Sequence, residues 1–329
     1  MSREQESDSG AQAAQDDIAV GVSSCLLGQE VRYDAGHKHD RYITDVLGRF
    51  VRFVPVCPEV EVGMGVPRET VRLVRSKDET RMIAPASGTD HTRAMRVYAR
   101  RRVAEISKLN LSGYILKKGS PSCGMERVRV YTDNGMPSSS GSGLFAEALT
   151  AALPLLPVEE EGRLNDPVLR ESFVIRVFAY HRLTRLFAGR WKASDLVGFQ
   201  AAEKLLVMAH DPRAQKELGR IVAATRELGH ARTRDEYRNL FMRALARPAT
   251  RKRHTNALQH MLGYFKKTLG SAERADIADV IDRYHDGTIP LIVPITLLRH
   301  HVKVHRVDYL VGQTYLEPHP AELMLRNHA

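Results

Sequence analysis

The chain has 329 residues, 43% of them apolar, with 49 Lys and Arg against 39 Asp and Glu and a formal net charge of +10. This length exceeds what one hydrophobic core usually serves, so two domains are expected. No apolar run reaches the roughly 18 residues of a membrane span, and three cysteines are too few, and odd in number, for a disulfide framework. A reducing, cytosolic compartment with no membrane partner is the expectation.

Residues 1–17, MSREQESDSGAQAAQDD, are polar with no apolar stretch and read as a disordered tail, not a signal peptide. IAVGVSS at 18–24, FVRFVPV at 50–56 and GYILK at 113–117 are β-branched runs expected to form strands. Helical spacing separates them: HDRYITDVLGRF at 39–50, then TRAMRVYARRRVAEISKL at 92–109 with Thr92 as its expected N-cap. LFAEALTAAL at 144–153 is a further helix, and PLLPVEEEG at 154–162 a last short strand or a linker. Strands alternating with helices predict a Rossmann-like α/β domain over 18–158, with a mostly parallel sheet.

From about residue 165 the pattern turns wholly helical, with seven apolar-periodic segments broken at Asp211-Pro212, Gly229, Pro248, Gly270 and Pro290. An all-α domain over 165–329 follows. Its charge is concentrated: residues 212–267 hold 14 Lys and Arg against 4 Asp and Glu. Such a field attracts polyanions, although a solvated basic surface would show the same count.

Each cysteine stands just beyond one of the three strand-like runs: Cys25 after IAVGVSS, Cys57 after VPV, and Cys123 in the GSPSCG loop after YILK. In an open parallel sheet, ligands bind beyond the carboxyl ends of the strands, so three thiols can meet there. Two readings stand at this point: three small packed side chains, or one soft metal site. The flanking Ser, Pro and Gly leave backbone amides free near sulfur, which favours an iron–sulfur cluster. Zinc fits less well, because structural zinc usually takes four protein ligands. Three thiolates on four irons leave one iron open, and Glu59 and Ser120 are close enough in sequence to share its pocket and handle protons. Arg32, Arg68, Lys117 and Lys118 lie beside the same motifs, as phosphate-steering groups or as solvated charges.

VGVSSCLLGQEVRYDAG, VPVCPEVEVGMGVPRE and LKKGSPSCG, in that order, resemble the 2-thiouracil desulfidase family over about residues 18–158. The resemblance implies a [4Fe-4S] cluster with one open iron on Cys25, Cys57 and Cys123, with Glu59 as acid/base carboxylate and Ser120 as catalytic serine. It also shows a departure, since Val31 stands near where a further cysteine is often found. ESFVIRVFAYHRLTRL and LVGFQAAEKLLVMAHDPRAQKELGRIVA resemble a helical domain, DUF1722, often fused to the first; Gln200 stands where that domain often has His. Such fusions resemble RNA thiouridine desulfidases, which implies thiolated tRNA as partner. Arg232, Arg234, Arg238, Arg251, Lys252, Arg253, Lys266 and Lys267, with Lys117 and Lys118, are then candidate RNA contacts, and Tyr237, His254 and Tyr264 are either stacking platforms or core. Two alternatives remain: a desulfidase of free thiouracil or thionucleosides, and an iron–sulfur sensor with a nucleic-acid-binding module. His300, His301, His305 and His319 read as a surface cluster with no metal.

Overall fold

The structure is a computed structural model that describes residues 18–76, 79–132 and 135–327. The expected tail, 1–17, lies outside the described residues. The chain divides into two compact units, the first ending at Asn165 and the second beginning at Asp166.

The first unit holds strands β1 (Ala19–Ser23), β2 (Arg52–Val56), β3 (Arg72–Ser76), β4 (Glu79–Ile83), β5 (Gly113–Leu116), β6 (Val128–Thr132), β7 (Pro137–Gly141) and β8 (Val158–Glu160). Its helices are α1 (Pro58–Glu61), α2 (Thr92–Ile106) and α3 (Leu144–Ala152). One sheet has the order β2-β1-β5-β8, with every pairing parallel; Val20 stands opposite both Phe53 and Gly113. β1 and β5 are buried along their whole length, as central strands of a sheet covered on both faces must be. On α2, Met95, Tyr98, Ala99, Val103 and Ile106 recur at helical spacing and form its buried face.

The second sheet, β4-β3-β6-β7, mixes antiparallel hairpins (β3 with β4, β6 with β7) with a parallel β3–β6 pairing. Its strands carry a polar or charged residue at nearly every other position, and none is expected as a strand; the SSSGSG stretch at 138–143, which reads as a loop, in part forms β7. Two local expectations change. The 39–50 segment makes a wide turn over Tyr42–Val46 and a tight one over Leu47–Arg49 instead of a regular helix. Thr92 is the first helical residue, not the cap: Asp90 Oδ1 accepts its backbone N–H at 2.8 Å, while Thr92 Oγ1 accepts the Met82 N–H at 2.8 Å and ties α2 to β4.

The second unit is helical: α4 (Pro167–Phe187), α5 (Ala193–His210), α6 (Pro212–Ala223), α7 (Thr225–Leu228), α8 (His230–Leu245), α9 (Arg251–Gly263), α10 (Ser271–His285), α11 (Ile292–His305) and α12 (Asp308–Val311). Asp166 caps α4 by accepting the Val168 and Leu169 N–H groups, and Asp211 does the same for α6 through Arg213 and Ala214. Among the described residues of this unit three buried carboxylates have arginine partners: Glu203 with Arg182 at 2.7 Å, Glu171 with Arg326 at 3.2 Å and Asp211 with Arg247 at 2.5 Å. Gln200 accepts the Tyr237 hydroxyl at 2.6 Å inside the core. Among the described residues no helix is long and apolar enough to cross a membrane.

Candidate active site

The three cysteines leave the carboxyl ends of three neighbouring strands. Cys25 sits in the single turn Ser24–Leu27 after β1, Cys57 directly between β2 and α1, and Cys123 in the loop after β5. Because β2, β1 and β5 are adjacent and parallel, their ends open on the same edge. One cavity of about 330 Å³ is lined by all three cysteines together with Glu59, Ser120, Ser122, Arg32, Arg68, Lys117 and Lys118.

The Cys123 loop is held by close backbone packing. A Cβ on Gly124 would lie 2.3 Å from Val128 Cγ2 and 2.9 Å from the Ser120 carbonyl oxygen. A Cβ on Gly143 would lie 2.5 Å from the Ser122 carbonyl and 2.9 Å from the Cys123 nitrogen. These glycines let α3 and β6 press against the loop and fix where the thiol points. Ser120 Oγ accepts the N–H groups of Ser122 at 3.3 Å and Cys123 at 3.2 Å, which closes the turn.

Glu59 stands on the first turn of α1 with both oxygens engaged. Oε2 accepts from Arg68 Nη2 at 2.5 Å and Nε at 3.1 Å, a side-on guanidinium contact. Oε1 accepts from Ser122 Oγ at 2.6 Å and Ser120 Oγ at 3.3 Å, and the two hydroxyls lie 2.9 Å apart. Arg68 is itself tied down by the Val31 and Gly65 carbonyls, at 2.9 and 3.0 Å. Its side chain is 6% exposed and that of Glu59 13%, so the pair is largely withdrawn from water. The alternative of Arg68 as a solvated charge is thereby excluded.

The electrostatics of the thiols follow from burial. Desolvation pushes Cys25 up to about 11, against the pull of Lys117. Burial also raises Cys57 and Cys123, the latter offset in part by hydrogen bonds from Ser122 and Ser23. Ser122 Oγ stands 3.7 Å from the Cys123 sulfur. A soft donor set of this kind, thiols whose burial disfavours the bare thiolate, with hydroxyls and a cation beside them, suits a cofactor that brings its own positive charge. Among the described residues no group of three His, Cys, Asp or Glu side chains is arranged to hold a metal ion, so the thiols form a shared lining and not a closed single-ion cage.

The flanking cations are not equivalent. The Lys117 ammonium is bound by the Glu161 carboxylate, whose other oxygen accepts the Lys118 N–H at 2.7 Å, so Lys117 offers no unpaired charge to a phosphate. Arg32 pairs with Asp34 at 3.3 Å and Lys118 is exposed. In the second unit Arg232 is held by Glu236 at 2.6 Å and Arg234 by Asp235 at 2.9 Å. Arg253 donates to the His210 carbonyl at 2.8 Å, Arg238 is half-buried, and Arg251 lies 5.8 Å from the Tyr284 ring centre. Lys252, Lys266 and Lys267 are exposed. Tyr237 and His254 are core residues, whereas Tyr264 is 41% exposed. His319 is buried, contrary to the expected surface cluster, while the rings of His301 and His305 stack 5.7 Å apart.

The sequence carries no motif signal for Ser122, which stands closer to Glu59 than Ser120 does. Only the fold, by folding GSPSCG back over α1, brings its hydroxyl there.

Comparison with known proteins agrees with this construction. Residues 20–161 match the 2-thiouracil desulfurase family, and residues 204–320 match a protein family of unknown function, DUF1722. The chain is 32% identical to the uncharacterized protein YbgA of Escherichia coli K12 over 161 residues, 48% of this chain and 94% of YbgA. It is 35% identical to the uncharacterized protein YbbK of Bacillus subtilis 168 over 150 residues, 44% of this chain and 97% of YbbK. Among solved structures, the [4Fe-4S]-dependent thiouracil desulfidase TudS is 30% identical, covers 48% of this chain and 99% of its own, and superposes with a TM-score of 0.36. By the match over 20–161 and a relative covered almost end to end, the chain belongs to the 2-thiouracil desulfurase family in its first unit, with a DUF1722 domain behind it.

Proposed function

We propose that the protein hydrolyses the carbon–sulfur bond of thiolated uridine in tRNA, giving uridine and hydrosulfide, at a [4Fe-4S] cluster held by Cys25, Cys57 and Cys123. The observation that carries the reading is the single cavity on which three soft thiols and a carboxylate–hydroxyl relay converge. When bound, the cluster supplies an iron without a protein ligand, a Lewis acid that prefers thiocarbonyl sulfur to carbonyl oxygen.

The chain's own residues handle water and protons. Glu59 Oε1 is the base that takes a proton from the attacking water, and Arg68 on Oε2 keeps the carboxylate aimed into the cavity. Ser120 Oγ reaches Oε1 directly at 3.3 Å, or through Ser122 in steps of 2.9 and 2.6 Å, so a proton has two paths between the ring side and the carboxylate. The sum is balanced without an oxidant: thiocarbonyl and water give carbonyl and hydrogen sulfide. A sensor would have no use for a carboxylate held by an arginine and two hydroxyls, and this favours an enzyme.

For tRNA the supporting observation is the concentration of 14 basic residues against 4 acidic ones over 212–267, with Lys252, Lys266 and Lys267 exposed. Free 2-thiouracil is the second reading: the family description names that base, and a cavity of about 330 Å³ has room for a single base. Anaerobically purified protein is incubated with thiolated tRNA and, separately, with 2-thiouracil, followed by nucleoside analysis. Loss of 4-thiouridine or 2-thiouridine from tRNA is expected. Persistence of both while free thiouracil is consumed overturns the tRNA reading and leaves the chemistry.

A further inference from the structure

On the helical unit, α5, α6 and α9 wall one hollow and α6, α9 and α10 an adjoining one, and the two share Pro212 and Asn256. The first, about 410 Å³, is walled by Lys204, Lys216, Asn256, His260 and Tyr264. The second, about 700 Å³, is walled by Lys252, Arg253, Gln259 and the carboxylate of Asp282 among others. No ion pair among the described residues engages Lys204, Lys216 or Lys252, in contrast to Arg232 and Arg234, which are held by neighbouring carboxylates. A groove carrying three ammonium groups without carboxylate partners is a track for phosphates.

Two further features select a nucleic acid over a simple anion. Tyr264 is 41% exposed, yet one ring face is stacked on Tyr309 at 4.6 Å and 15°, and Lys204 lies 6.0 Å from the Tyr309 ring centre. The tyrosine pair is therefore a braced platform with an open side, the arrangement on which an unstacked base rests. Asn256 lines both hollows and is half-buried, and its carboxamide makes no hydrogen bond to any described residue. An amide with donors and acceptor unused can meet a base edge.

We propose that this groove binds a single-stranded stretch of the substrate RNA, with phosphates along Lys204, Lys216 and Lys252, a base stacked on Tyr264, and Asn256 reading a base edge. The proposal rests on the reading of RNA as substrate. Only Lys252 and Tyr264 of these residues are distinguished by the sequence; Lys204, Lys216 and Asn256 are brought in by the fold.

The test uses the full chain with its cofactor reconstituted. Binding of a labelled octauridylate and of a tRNA transcript is measured as a function of salt. The Lys204→Gln/Lys216→Gln double variant is expected to flatten the slope of log affinity against log salt for octauridylate by about 1.4, from about 0.7 per lost phosphate contact. Tyr264→Ala is expected to weaken octauridylate about 5- to 150-fold, with Tyr264→Phe close to wild type. Arg232→Gln/Arg234→Gln is expected to leave the octauridylate slope unchanged, because neither residue lines the groove. Lys216→Gln alone, on an exposed side chain, gives half the slope change if the double variant misfolds. Wild-type binding with unchanged slope and affinity in every groove variant overturns the groove and leaves the RNA reading standing. Absence of any RNA binding by wild type, with free 2-thiouracil still consumed, overturns the RNA reading and the groove with it.

Discussion

Replacing Arg68 by Met keeps the side-chain volume but removes two hydrogen bonds to Glu59 and those to the Val31 and Gly65 carbonyls. The pair is almost out of water, with side chains 6% and 13% exposed, so solvent cannot replace the guanidinium. Leaving such a carboxylate without its partner costs about 3–5 kcal/mol. The loss is read by hydrogen exchange on the amides of β2 and α1, which carry Cys57 and Glu59, and not by a global unfolding curve that mixes two units. A carboxylate released by as little as 1 Å is also expected to cut turnover about 100-fold. Arg68→Lys restores charge without the fork and is expected to fall between the two. The Glu59→Gln/Arg68→Met double variant is expected to lose less stability than the sum of the single changes, because no unpaired charge remains. Exchange in Arg68→Met within about 1 kcal/mol of wild type, with turnover intact, would refute the role given to the pair.

Further outcomes follow from the same geometry. Glu59→Gln is expected to keep the cluster's visible absorbance while losing turnover by at least about 100-fold, since base catalysis is removed and the thiols are untouched; loss of the chromophore would make Glu59 structural. Gly143→Ala drives a Cβ to within 2.5 Å of the Ser122 carbonyl, so the Cys123 loop must shift; reduced iron content and a loss of about 1–3 kcal/mol are expected, by elemental analysis and by hydrogen exchange on the amides of β5 and α3. Burial holds His210 and His319 each down to about 4, so both stay neutral in the native helical unit while the unfolded chain protonates them below about 6.5. Their contribution is complete above that pH and is lost as pH falls toward 4, by about 3 kcal/mol for each. Trp191, packed against Phe187 and His230 in the helical unit, reports this as a falling urea midpoint between pH 7 and 5; a flat midpoint would contradict it.

The sequence makes the strand-end cysteines legible because β1, β2 and β5 are short apolar runs and each cysteine follows within a few residues, beside Ser, Pro or Gly. The second sheet is not legible for the opposite reason. Strands such as ETRMI and PSSSG carry little apolar periodicity, and the two hairpins they close, β3–β4 and β6–β7, become one sheet only through the β3–β6 pairing, whose strands lie far apart in sequence. Within the site, Cys25, Cys57, Cys123, Glu59 and Ser120 announce themselves by position next to strand ends. Arg68 is visible in the sequence only as a cation beside these motifs, not as the partner of Glu59, and Ser122 not at all: an arginine after the loop that follows α1, and a second serine in a turn, acquire these roles only when the chain folds over Glu59. The charge surplus over 212–267 is visible in composition, but which of its cations remain unpaired depends on helix neighbours such as Glu236 and Asp235.

The central claim, hydrolytic removal of sulfur from a thiolated uridine, is tested most directly by a single-turnover reaction in heavy-oxygen water under anaerobic conditions. Reconstituted protein is mixed with thiolated tRNA, and the product nucleoside is analysed by mass with hydrosulfide measured alongside. Uridine carrying one heavy oxygen at the former thiocarbonyl carbon is expected, with one hydrosulfide for each base converted. Thiouridine that persists, or that disappears without heavy oxygen entering the product, would contradict it.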